Sequence, residues 1–269
     1  MSGLATRWGG VIKLVDVNSQ LAYVYRGEIA LRLLGVLLQV FLLKVVWSAV
    51  YAGRAEVNGV PIALMISYLT LANLQVWLLY CDIPNVVYER VREGSIALDL
   101  ARPIDVLPQL VWGQVGRTAG ILPFGLLALP VAAVMGALAW PASGEAAVLY
   151  AVSLVLAYAI SILASLILAL LVFWTYETHG VTAIYSFVTQ FFAGALVPLW
   201  FFPDGLRAVA ELLPFQTQAY LPLSIYIGRL AGSDALRGLG VQVFWIAALS
   251  LAANALWRRA IRRVVIQGG

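Results

Sequence analysis

The densest set of side chains able to do chemistry lies between residues 82 and 109, where Asp82, Glu89, Arg90, Arg92, Glu93, Asp99, Arg102 and Asp105 fall together. On a helix, Glu89 and Glu93 are four residues apart and share a face, and Val87 and Val91 form a neighbouring apolar stripe. A short helix around 86–92, ended by Gly94 and followed by Pro103, fits this pattern. Two readings of it stand side by side. One is a solvated loop whose surface ion pairs contribute about 0–1 kcal/mol each. The other is a docking helix that offers an acidic face to basic groups on a soluble partner. Gly94 is suited to a turn of positive φ after that helix. Arg102 is suited to anchoring the loop on phosphate headgroups or an acidic partner, and Pro103 to fixing the backbone beyond it.

A second group of polar residues sits inside long apolar stretches. Thr70, Asn73, Trp77 and Tyr80 recur at helical spacing on one face, and Tyr185, Ser186, Thr189 and Gln190 cluster in a later stretch. Buried amides and hydroxyls of this kind often only hold helices together, at around 0.6 kcal/mol each. Lys44 needs either a route to the membrane surface or a partner on another helix, or else it meets a substrate. Arg117 reads as an anchor at the inner surface. His179 is either a pH-sensitive group or a plain interfacial loop residue. The missing motifs narrow the chemistry further. No G-x-x-x-x-G-K-[ST] occurs, and the only two lysines, Lys13 and Lys44, follow no glycine-rich turn, so ATP phosphates have no loop to cradle them. Neither G-x-S-x-G nor H-E-x-x-H is present. One cysteine (Cys81) and one histidine (His179) leave no internal disulfide and no Cys or multi-His metal centre. The chain reads as no enzyme in itself, with no cofactor or metal of its own.

The elements that must position these residues follow from composition. At 62% hydrophobic and 11% charged residues, the 269-residue chain is too apolar to cover a water-soluble surface. A bilayer core of about 30 Å needs roughly 20 mostly apolar residues per helix. Six stretches meet or approach this: 31–51, 62–80, 110–138, 146–174, 181–202 and 241–257. The fourth is long enough to tilt or to project beyond the membrane. The long runs lack the alternation of a barrel wall, so strands are not expected. Arginine and lysine are unevenly shared between the two sides of such a bundle. One side holds eleven: Arg7, Lys13, Arg26, Arg32, Arg90, Arg92, Arg102, Arg258, Arg259, Arg262 and Arg263. The other holds four: Arg54, Arg207, Arg229 and Arg237. The positive-inside rule then puts both termini in the cytosol, which requires an even number of spans. The expected fold is an all-α, multi-pass protein of the cell membrane forming one domain over 1–269. Its parts are an amphipathic lead-in over 1–30, a cytosolic loop over 82–109 and a proline-broken outer segment over 203–238 that re-enters the membrane against the other helices. In the lead-in, Trp8, Val11, Ile12 and Val15 are expected on the buried face, with Arg7 and Lys13 toward headgroups. No basic run interleaved with aromatics marks a nucleic-acid face.

The run VREGSIALDLARPIDVLPQ resembles the loop between the second and third helices of ABC type-2 permeases. It is closest to a bacterial six-helix export subfamily often encoded as dissimilar pairs beside an ATPase, with Gly94, Ile96, Leu98, Leu100, Arg102 and Pro103 matching its glycine, spaced aliphatics and Arg-Pro. FFAGALVPLWFFPDGLRAVAELLPF resembles that subfamily's fifth helix and outer re-entrant start, and IRRVVIQGG its usual ending. The resemblance implies that Glu89, Arg90, Arg92, Glu93, Gly94, Arg102 and Pro103 form a coupling element seated in a cleft of a separate ABC ATPase, which binds ATP and Mg. It implies dimerisation with a second permease, either a dissimilar paralogue or a second copy, and an amphipathic helix on the inner membrane surface before the first span. It also implies a translocation path lined by the second and fifth spans, here Thr70, Asn73, Trp77, Tyr185, Thr189 and Gln190. Two other classes compete: a secondary transporter, for which intramembrane carboxylates would be the natural ion carriers, and a membrane assembly protein that moves nothing.

Overall fold

The computed structural model describes residues 2–57, 59–102, 104–175 and 179–267, and the side chains of 2–8, 179 and 263–267 are excepted. Pro103, and the side chains of Arg7, Trp8, His179 and Arg263, therefore lie outside the described residues. The elements in chain order are α1 (Ser2–Val24), α2 (Arg26–Tyr51), β1 (Glu56–Val57), β2 (Val60–Pro61), α3 (Ile62–Leu78), α4 (Ile83–Arg92), α5 (Ile96–Leu100), α6 (Val106–Val134), α7 (Gly144–Thr175), α8 (His179–Phe192), α9 (Asp204–Leu212), α10 (Tyr220–Tyr226) and α11 (Gly232–Gln267). The chain is an all-α polytopic membrane protein. Among the described residues, strand occurs only in the antiparallel β1–β2 pair in the loop after α2, a pairing of two residues a side that the apolar pattern does not announce.

Among the described residues, five helices are long and apolar enough to cross a membrane, where six spans are expected from sequence. The difference lies at 181–202. Helix α8 stops at Phe192 because Gly194 takes φ +72° and the backbone closes in a Schellman motif, Gly194 N–H donating to Phe191 O (3.2 Å) and Ala195 N–H to Gln190 O (3.3 Å). The Tyr68 hydroxyl fixes this turn by donating to Gly194 O at 2.8 Å. At 14 residues, α8 rises only about 21 Å, short of the bilayer core. The turn after it and the 3-10 turn Leu199–Phe201 carry the chain on to Tyr51 and Val60 at the β-hairpin end, so the segment still passes from one end of the bundle to the other. In the other direction α7, at 32 residues, rises about 48 Å and overshoots it.

Polarity is inverted relative to a water-soluble bundle. Leu31, Leu34, Leu38, Phe41 and Val45 of α2 are exposed, while Ser67, Thr70, Gln75, Ser153 and Gln242 are buried, as lipid-facing and interior positions demand. Two cores are stacked along α7. At the end nearer the β-hairpin, Tyr51, Met65, Tyr68, Trp200 and Leu223 pack together, with Tyr150 of α7 against them. At the opposite end, Ile83, Val87, Val106, Leu166 and Phe173 do so. Lys44 has an inter-helix partner, donating to Met135 O at 2.7 Å.

Helix α1 runs parallel to the first half of α6. Gly10 lies against Ile104, and a Cβ on Gly116 would fall 2.5 Å from Val15 O; one on Gly120 would collide with Ser19 O and Ala22. Small residues four apart let the two backbones approach this closely. Val11 and Val15 are partly covered on this side, whereas Ile12 is 67% exposed and points away.

Residues 203–231 form a hairpin. It starts beside Trp200 and ends beside Arg229, whose guanidinium lies 4.7 Å over the Trp200 ring. Its tip carries Gln218 to Ser161 at the middle of α7. Residues 232–238, expected in the same segment, already belong to α11. Of its two short α-helices, α10 is buried from Leu221 to Tyr226 and α9 exposes Val209 and Leu212.

Candidate functional site

Helix α4 begins with Pro84 in its first turn, where the missing N–H costs nothing. Ile83, Pro84 and Val87 are buried against α7 and α6, leaving Glu89, Arg92 and Glu93 exposed on the other face. Gly94 closes the helix at φ +71°, a backbone conformation that L side chains resist. After it, α5 turns Ile96 into the core and leaves Leu98 69% exposed.

Arg90 and Arg102 do not join the exposed ridge. Arg90 turns inward to Asp99, which is 4% exposed, and Arg102, itself 55% exposed, reaches back to the same carboxylate. Arg90 donates to its carboxylate at 2.8 Å and Arg102 lies 3.3 Å from it. Gln109 completes the knot: its amide nitrogen donates to the Asp99 and Ile104 carbonyls at 3.1 and 2.6 Å, and its oxygen accepts from Arg102 at 3.2 Å. In this structure Arg102 contacts Asp99 and Gln109 of its own loop while more than half of its side chain stays exposed. Taking a carboxylate out of water is costly unless it is paired, and the spacing Arg90–Asp99–Arg102 is the signal in the sequence that points to it.

A cavity of ≈ 200 Å³ lies at mid-height between the end of α3, α7, α8 and the hairpin tip. Of the residues expected on a path, Tyr185, Thr189 and Gln190 line it, joined by Ser161, Ser165 and Gln218. The three from α3 do not. Thr70 is buried in the core, Asn73 donates to Leu69 O of its own helix at 2.8 Å, and Trp77 packs beside Gly125 of α6. Helix α3 lines it with Val76 instead, and next to the wall Gln75 donates to Gln218 O at 2.5 Å while its own Oε1 is buried without a hydrogen-bond partner among the described residues. Gln218 Oε1 accepts from Ser161 at 3.1 Å. The Tyr185 hydroxyl interacts with Thr189 and Gln218, yet Thr189 Oγ1, Thr182 Oγ1 and Gln218 Nε2 fall short of hydrogen-bond geometry with any described group. Toward the hairpin end of α7, Gln242 of α11 accepts from Ser153 and donates to Ser153 O and Thr217 O.

The cavity wall is therefore neutral among the described residues: it carries no carboxylate, ammonium, guanidinium or imidazole, but it keeps hydroxyls and amides whose hydrogen-bonding capacity is unspent. Such a wall can hold an uncharged group bearing donors and acceptors. It gives a bare ion no counter-charge in a low-dielectric setting.

No curated protein and no solved structure matches the chain. The model of the ABC-2 family transporter proteins matches residues 33–268, which takes in most of α2, the other four long helices, the α4–α5 loop, the cavity and the hairpin. The chain is a member of the ABC-2 transporter family and a permease-type membrane protein.

Proposed function

We propose that this permease is the membrane subunit of an ATP-driven exporter whose ATP and Mg are bound by a separate ABC ATPase. The observation that carries this is the build of α4. Its outer ridge, Glu89, Arg92 and Glu93, is free to meet another protein, while its inner face is packed on α7 and its loop is knotted through Asp99. A push on that ridge is delivered to the helices that wall the cavity, because neither the helix nor its loop can yield independently. The α4 end is the cytosolic end in this reading, and both termini share that side in the cell membrane. Ile184 and Phe187 of α8, both 69% exposed, flank the cavity. A second permease packed there would close it into a path from both sides. The neutral wall suits an uncharged amphiphile that carries hydrogen-bonding groups.

The test is a comparison of the purified chain with and without its ATPase. Alone, the chain is expected neither to bind nor to hydrolyse ATP. With the ATPase added, a stable complex should hydrolyse ATP. ATP hydrolysis by this polypeptide free of any partner would overturn the division of labour.

A further inference from the structure

Where α1 bends into α2, a second and larger cleft of ≈ 370 Å³ opens between the bend, the end of α3 and the middle of α6. It is distinct from the path cavity, and its volume falls in the range of ordinary ligand sites, about 300–1,000 Å³. Its walls are of two kinds. Leu21, Ile29, Trp77 and Ile121 form an apolar side, and Glu28, Arg32, Asp82 and Arg117 stand around its polar mouth with the Tyr80 hydroxyl.

These four charges mark one plane. On α2, Arg32 is the last charge before Lys44; on α6, Arg117 is the last before the α6–α7 connection; on the α3 side, Asp82 is the first after a span with none. Three neighbouring helices leave polar surroundings at the same level, so the mouth sits where lipid headgroups sit and the apolar wall runs toward the acyl region. The four charges form two pairs, one long and one on an exposed face, that a ligand can enter. Arg117 and Asp82 are 3.5 Å apart and only partly covered, longer than the roughly 2.7–2.9 Å of a well-made charged hydrogen bond. Asp82 also accepts from Asn85 at 2.7 Å, and Arg32 pairs with Glu28 at 2.8 Å on an exposed face.

We propose that this cleft is a binding site for one zwitterionic phospholipid, with its phosphate on Arg117 and Arg32 and its ammonium on Asp82 and Glu28. Two cations and two anions make the mouth neutral overall. An anionic headgroup would gain the arginines but face both carboxylates without an offsetting cation. A headgroup carrying both signs meets complementary charge at each end, and the adjoining apolar wall receives its first methylenes. The proposal does not depend on ATP, on transport or on the path cavity.

The test uses the full chain reconstituted in vesicles of equimolar dioleoyl phosphatidylethanolamine and dioleoyl phosphatidylglycerol, re-extracted in mild detergent, with retained lipid counted per protein by mass spectrometry. The wild type is expected to retain phosphatidylethanolamine in preference to phosphatidylglycerol. Arg117→Gln should lower that retention about tenfold, the loss of one charge-assisted hydrogen bond. The double variant Glu28→Gln/Asp82→Asn leaves two unopposed arginines and should turn the preference toward phosphatidylglycerol. Retention by the wild type in the bulk ratio, or in favour of phosphatidylglycerol, overturns the site. So does an unchanged preference in the double variant, which keeps the proposal exposed even where Arg117→Gln fails to fold.

Discussion

Asn73 and Gln190 carry the same amide in opposite situations. The Asn73 amide is turned back onto the Leu69 carbonyl inside the core, whereas Gln190 lines the cavity. A periodicity of polar residues marks a face of a helix but not what covers that face, and here the inserted hairpin decides it. Its tip brings Gln218 onto Gln75, two residues and roughly 200° from the Asn73 side of α3 at about 100° per residue. Gln218, and the Gln75 that bonds its carbonyl, are therefore invisible in the sequence pattern, while Tyr185, Thr189 and Gln190 are legible on α8. Gly94 was legible too, because a positive φ after a charged helix has a residue-level signature. On this basis a cysteine replacing Gln190 should react with a water-soluble maleimide, at a rate that changes when the partner ATPase binds ATP. A cysteine replacing Asn73 should stay unreactive in both states. Equal labelling of the two contradicts the placement of the cavity.

Among the elements, α1 and α8 show where apolar pattern is a sufficient guide and where it fails. The runs of α2, α3, α6, α7 and α11 are legible from their apolar length, and even Pro123 and Pro130 inside α6 do not break it. The stretch 181–202 has the same composition, but the Gly194 turn and the Pro198 that follows break it into α8 and a 3-10 turn. A lone glycine in a transmembrane pattern does not reveal which way its φ goes. Helix α1 was read as a lead-in on the membrane surface, whereas its Val11 and Val15 face protein, because Gly116 and Gly120 of α6 form a seat that a helix backbone can enter. Gly120→Leu fills that seat with a side chain whose Cβ alone already overlaps Ser19 O. Overpacking of this sort costs about 1–3 kcal/mol. The expected result is faster tryptic cleavage at Lys13, read by limited proteolysis, with membrane insertion unchanged. Wild-type protection of Lys13 in that variant would mean the α1–α6 seam is not what holds α1.

At the scale of the whole molecule, α7 is the axis. Leu149 near its start packs with Leu221, Ile225 and Ala235, and Phe173 near its end packs with Ile83 and Val87. These contacts lie about 36 Å apart at 1.5 Å per residue, so the α4 ridge and the start of α11 stand at opposite ends. With the excess of arginine at the α4 end, a cysteine at Glu93 should be labelled only from the cytosol and one at Asp234 only from outside. Labelling of Glu93 from outside reverses the orientation and removes the basis for an ATPase at that end. The central claim is that the α4 ridge receives the ATPase, and reversing its acids tests this most directly. Glu89→Lys/Glu93→Lys leaves the buried face and the Asp99 knot intact but sets like charges against a basic cleft, which costs several kcal/mol. Measured by co-purification, the variant is predicted to bind the ATPase at least about tenfold more weakly. The defect should be larger at low salt than at high salt, with normal amounts of protein in the membrane. Undiminished ATPase binding by the double variant at low salt would contradict the account.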